Sequence, residues 1–270
     1  MKSLFLIIVS MLLLLAGCGQ NISPQSEINA ADGNTAASDD SDSTGGEDTM
    51  DNSDTMNNRK IPAQEGSSAA KLLFQGHGSF RITTADGKVI YIDPYAGSGY
   101  DLPADLILVT HQHSDHNQIN LITSKNPGCE VISEKEALMD GKQQTFDFGY
   151  VKVEAVEAGN KNHDPAQCVG YILTLDGGLQ VYFSGDTSTT AQMGTFAERK
   201  LDYAILCCDG VYNMDIAEAS ECAALIGARY SIPCHMAPGK LFDRERAEQF
   251  EADGRLIIAD GEEITLTLND

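Results

Sequence analysis

The run Thr110-His111-Gln112-His113-Ser114-Asp115-His116 restricts what this chain can become more than any other stretch. It follows Leu106-Ile107-Leu108-Val109, an apolar segment bounded by turn residues that reads as a short buried strand. In extended backbone, residues two apart point to one side, so His111 and His113 present two imidazoles to a single point. Where the strand breaks into a turn, Asp115 and His116 are aimed at a second point nearby. Neutral imidazole and carboxylate are the donors that zinc and its first-row neighbours accept. The competing reading is a solvated His cluster or a helix start capped by Asp. Three His and one Asp within six residues, in a chain with six His altogether, weigh against it.

The amino-terminal quarter has a different composition. Lys2 followed by the apolar run Leu4–Leu15, too short to span a bilayer comfortably, reads as an export signal over residues 1–17. Its end, Leu15-Ala16-Gly17-Cys18, resembles a bacterial lipoprotein cleavage site. That resemblance implies a lipidated Cys18 at the mature amino terminus, and hence an extracytoplasmic protein held at the cell membrane. Residues 18–69 are rich in Ser, Asp, Asn, Gly and Thr and lack aliphatic periodicity, the composition of a disordered tether. This segment holds ten acidic and two basic residues, and most of the remaining net charge of -22 falls on residues 70–270. Such a balance excludes a nucleic-acid groove or an anionic lipid surface as partner. A small molecule fits it, and no feature specifies an oligomer.

Within residues 70–270 the pattern predicts strands over 71–74, 80–84, 88–92, 106–109, 130–133, 150–156, 169–175 and 179–184. Asp86-Gly87 and Asp176-Gly177-Gly178 are hairpin signals. Strands over 202–206 and 230–232 then flank an amphipathic helix at 216–227. Helices are also predicted over 134–139, 189–199 and 243–252, with closing strands over 256–259 and 263–268. Many strands first and strand–helix alternation later suggest two sheets packed face to face with helices outside. On that map His111, Asp186 and His235 each sit just beyond a strand, and His163 lies in the polar loop 159–167. Asp186 in Gly185-Asp186-Thr187 has a second reading as the cap of the following helix. Cys129, Cys168, Cys207, Cys208, Cys222 and Cys234 show no metal-knuckle or redox spacing and read as small apolar residues.

The order His-x-His-x-Asp-His, then His163, then Gly-Asp-Thr, then Ile-Pro-x-His resembles the metallo-β-lactamase superfamily over about residues 70–270. The resemblance implies an α/β fold, a four-layer αββα sandwich, with two divalent metal ions. It places His111, His113 and His163 on the first ion, Asp115, His116 and His235 on the second, and Asp186 between them. Gly76-His77-Gly78-Ser79-Phe80 and Asp93-Pro94 are similar to a branch that contains ascorbate-phosphate lactonases, and they imply that His77 stands near the metals. A purely structural role for His77, fixing a turn, is the other reading.

The implied chemistry is hydrolysis. Paired divalent ions lower the pKa of a shared water and hold a developing oxyanion. Asp115 orients the nucleophile, and His77 or, more weakly, Tyr212 protonates the leaving group. Zinc is favoured over iron because His113 stands where di-iron relatives typically carry a carboxylate, with manganese open. The expectation is a metal-dependent hydrolase acting on a small ester, lactone or phosphodiester. A non-catalytic metal- or ligand-binding lipoprotein and an iron-dependent oxidoreductase are the alternatives.

Overall fold

The segment before the His run is apolar at every position because both of its faces are covered. Leu106 and Leu108 point into a core between two sheets, while Ile107 and Val109 join Val89, Tyr91, Ala104 and Ile122 on the outer face. A strand buried on both sides reads as a continuous apolar run. The computed structural model describes residues 69–268. The expected signal segment 1–17, the expected lipid site Cys18 and the stretch up to residue 68 expected to be a tether lie outside them.

The first sheet contains β1 (Lys71–Gly76), β2 (Ser79–Thr83), β3 (Val89–Ile92), β4 (Ala104–Leu108) and β5 (Lys125–Ile132). The second contains β6 (Thr145–Asp147), β7 (Val151–Glu157), β8 (Val169–Leu175), β9 (Gln180–Phe183), β10 (Tyr203–Cys207) and β11 (Tyr230–Cys234). The last strand, β12 (Glu263–Thr265), returns to the first sheet, giving orders β12-β1-β2-β3-β4-β5 and β11-β10-β9-β8-β7-β6. Both sheets are mixed in the same way. β1, β2 and β3 pair antiparallel before β3, β4 and β5 pair parallel. β7, β8 and β9 pair antiparallel before β9, β10 and β11 pair parallel. Hence β1, β3 and β4 end at one edge of their sheet, and β7, β9, β10 and β11 end at one edge of theirs.

Helices cover the outside. α1 (Glu134–Ala137) opens on a capping box between Ser133 and Glu136. α2 (Ile216–Ile226) is capped by Asp215 and stopped by Gly227 at φ 65. Its buried residues Ala219, Cys222, Ala223 and Ile226 recur at helical spacing and meet Ile172, Tyr182 and Leu206 on the back of the second sheet. α3 (Arg244–Ala247) follows β11. Two mixed sheets flanked by helices make the αββα sandwich expected of the sequence.

Several elements differ from expectation. The helix predicted over 189–199 is 3-10 turns at Gln192–Arg199, which bury Met193 and Phe196. Gly194 and the Thr residues around it disfavour an α-helix, and the Thr190 hydroxyl takes the Met193 N–H instead. The helix predicted over 243–252 stops at Ala247, and the Arg255 guanidinium binds the carbonyls of Glu248 and Phe250 beyond it. The strand predicted over 256–259 runs beside β11 with one bridge, Ser231 to Arg255, and no ladder. β6 and the first half of β5 were not legible, being short or mostly exposed. The six described cysteines are free, and all but Cys129 are buried.

Candidate metal centre

Each candidate residue sits where a strand of the shared direction ends. His77 follows β1, Asp93 follows β3, and His111, His113, Asp115 and His116 follow β4. From the second sheet come His163 after β7, Asp186 after β9, Asp209 after β10 and His235 after β11. Three of them, His77 (φ 59), Asp93 (φ 46) and His235 (φ 45), occupy the left-handed region that non-glycine residues avoid. Such backbone persists only where its surroundings over-determine it, and it clusters at functional sites.

The histidine rings are oriented alike. His116 Nδ1 lies 2.9 Å from Asp93 Oδ2, and His235 Nδ1 lies 3.1 Å from Asp209 Oδ2. His163 Nδ1 meets Asn160 Oδ1 at 3.2 Å, and His77 Nδ1 meets the Lys240 carbonyl at 3.0 Å. His111 Nδ1 is 3.0 Å from Thr110 Oγ1, whose own proton goes to Asp93 Oδ2 at 2.7 Å. In four of the six histidines, then, an oxygen is hydrogen-bonded to Nδ1, and in His235 the Asp209 carboxylate stands beside Nδ1 without hydrogen-bond geometry; in each the Nε2 side is left to face inward. This is the outer arrangement that fixes tautomer and direction in histidines that ligate metals.

Inward, four of those nitrogens surround Asp186, which is buried. Its Oδ1 is 3.3 Å from His116 Nε2. Its Oδ2 is 3.3 Å from His163 Nε2, 3.4 Å from His235 Nε2 and 3.9 Å from His111 Nε2. Donor atoms of His111, His113 and His163 lie within 4.8 Å of one another, and so do those of His77, Asp115, His116 and His235. Every site residue named from the sequence is therefore in one cluster. Asp186 does not cap a helix: the 3-10 turns that follow begin at Gln192, with Ala191 at their N-cap.

The donor set fits metal. Nε2 of His111, His116 and His235 and Oδ1 of Asp186 are buried without a hydrogen-bond partner, a costly state that a cation among them relieves. The electrostatics agree. Burial, then repulsion from His116, drags His111 down to about 2. On His235 burial works against the charged ring but loses to Asp186, Asp115 and Asp209, and its pKa rises to about 9. His116 is likewise raised, with burial outweighed by Asp186 and Asp93. Contacts from His235 and His77 hold Asp115 well below the usual carboxylate range.

Asp209 and Asn160 were missed by sequence reasoning. Asp209 is buried and gathers the backbone N–H groups of Val211, Tyr212 and Asn213 on Oδ1 while Oδ2 faces His235. Burial opposes its charge, but these contacts bring its pKa down to about 2. The available signal was positional: it follows its strand as Asp93 and Asp186 follow theirs. Asn160 orients His163 and also donates to the Tyr212 carbonyl at 3.0 Å, stitching two loops of the rim together. Tyr212 itself is half exposed.

An αββα sandwich with imidazoles and carboxylates converging at one sheet edge defines the class of metallo-hydrolase scaffolds. Residues 71–235 match the β-lactamase superfamily domain. A UPF0173 metal-dependent hydrolase of Pyrococcus furiosus is 30% identical over 191 residues, covering 61% of this chain and 84% of its own. One from Ligilactobacillus salivarius is 30% identical over 186 residues with the same coverage. A solved metallo hydrolase of Ignicoccus hospitalis is 25% identical with a TM-score of 0.62, over 74% of this chain and 100% of that one. The chain belongs to the metallo-β-lactamase superfamily and, within it, to the UPF0173 family of metal-dependent hydrolases.

Proposed function

We propose that this protein is a dinuclear hydrolase of a small extracytoplasmic ester, lactone or phosphodiester. The observation that carries the reading is Asp186, one buried carboxylate within 4 Å of imidazoles from both donor groups. His111, His113 and His163 would hold one ion, Asp115, His116 and His235 the other, and Asp186 both. When bound, such ions supply a water that is acidic enough to ionise near neutral pH and a Lewis acid for the scissile carbonyl or phosphoryl oxygen.

The chain supplies positioning. Asp93, Asp209, Asn160 and Thr110 keep the Nε2 lone pairs inward. Asp115, partly exposed where the other carboxylates are buried, has Oδ2 toward His77 and His235 and would orient the attacking water with its carboxylate. The rim carries exposed Val211 and Tyr212, which suit an uncharged part of a small substrate. The all-imidazole group around His113 favours zinc over iron, with manganese as second choice. The Gly76–Phe80 turn supports the lactonase-like branch. Lipidation at Cys18 would hold the enzyme at the outer face of the cell membrane, so Cys18→Ala should move activity from the membrane fraction to the soluble one.

The test is elemental analysis of the purified chain after exposure to zinc or manganese, with a panel of lactones, phosphodiesters and thioesters. Two ions per chain and turnover of one substrate class are expected. A single ion, or bound iron with activity only in a redox assay, overturns the reading.

A further inference from the structure

His77 is the one histidine of the cluster that the expected ligand set leaves out, and its backbone is pinned on both sides. Its N–H donates to the Leu241 carbonyl at 2.6 Å, and its carbonyl accepts the N–H of His235 at 2.8 Å. Its ring centroid is 3.7 Å from that of His235. Room for this approach comes from the glycines on either side. A Cβ on Gly76, whose φ is +113, would press on Leu241, and one on Gly78 would stand 3.0 Å from His116 Cε1.

The ring is 1% exposed and has two nitrogens to account for. Nδ1 lies 3.0 Å from the Lys240 carbonyl, which only accepts, so Nδ1 carries a proton. Nε2 remains, 3.3 Å from Asp115 Oδ2 and within 4.8 Å of the donor atoms of Asp115, His116 and His235. A proton donor for a leaving group would need a path outward from Nε2, and that atom faces Asp115 among three other donors. We infer that His77 is a further metal ligand, its Nε2 completing the group formed by Asp115, His116 and His235. The inference rests on the proposed dinuclear reading, and it makes the two halves of the centre unlike: three imidazoles on one side, three imidazoles and a carboxylate on the other.

Metal-free full-length protein titrated with cobalt(II) and followed by its visible absorption tests this. Wild type should take up two ions. His77→Gln should keep one step unchanged and weaken the other by at least about 100-fold, the upper end of what losing a mere orienting partner costs, with an altered spectrum for that step. His113→Gln should weaken the opposite step. In wild type loaded with cadmium-113, the His77 Nε2 resonance should show direct coupling to the metal, a readout that needs no variant to fold. Unaltered affinity and spectrum in His77→Gln together with absent coupling would overturn the inference, leaving His77 as a proton donor or turn former. Should wild type bind one ion only, the dinuclear reading fails, and the same coupling still decides whether His77 holds that ion.

Discussion

Asp93 serves three donors with two oxygens: the Thr110 N–H at 2.7 Å, the Thr110 hydroxyl at 2.7 Å and His116 Nδ1 at 2.9 Å. Replacing it with Ala leaves all three buried and unpaired, at about 1–3 kcal/mol each. Asp93→Ala should therefore lower the urea-unfolding free energy of the metal-free protein by roughly 3 kcal/mol or more. Asp209→Asn is milder. It keeps an oxygen for the loop N–H groups, and its expected signature is metal affinity weakened about 10–100-fold with little change in unfolding. Asp186→Ala should abolish uptake of at least one ion, whereas a change at exposed Lys135 should do nothing; elemental analysis reads both. The candidate donors that the fold brings together were legible because ligation needs particular side chains at particular spacings. Their supporting oxygens were not: Asp209 and the Lys240 carbonyl reach His235 and His77 from segments that only the fold brings together, and Asn160 meets His163 through a turn within one polar loop that carries no periodic signal.

At the scale of elements, the decisive fact is strand direction. Donor-bearing loops all leave strands that run one way within their sheet, so loops far apart in the chain share an edge. Gly185 sits at the tightest of these exits, with φ 58 and a would-be Cβ 2.7 Å from the Val169 carbonyl and 3.0 Å from Thr110 Cβ. Gly185→Ala should cost about 1–3 kcal/mol of stability and weaken metal binding through displaced Asp186, as read by unfolding and cobalt titration together. Long two-faced strands and the amphipathic α2 were readable from periodicity. The segment 189–199 was not, because two buried side chains, Met193 and Phe196, fit a helix pattern while the intervening Gly and Thr residues settle into 3-10 turns. β6, with one partly buried residue in three, leaves no pattern to read.

For the molecule as a whole, metal occupancy and folding are linked. In the metal-free protein His235, raised to about 9, and His116, also raised, hold protons at neutral pH. Ligation needs those lone pairs, so binding must expel protons. Affinity should rise with pH until about 9 and fall below neutrality. Calorimetry in buffers of different ionisation heat should register proton release at pH 7. A chelator should lower the unfolding free energy, by about 2.7 kcal/mol relative to protein held at one hundred times the dissociation constant.

The turns that leave β2 and β8 point away from the chemistry. Asp86, Gly87 and Asp176–Gly178 are exposed, and a Cβ on Gly87 or Gly178 would meet nothing within 4 Å. A dye, an epitope or an inserted domain grafted at either hairpin tip should therefore be silent in turnover. The enzyme has a working end and a handle.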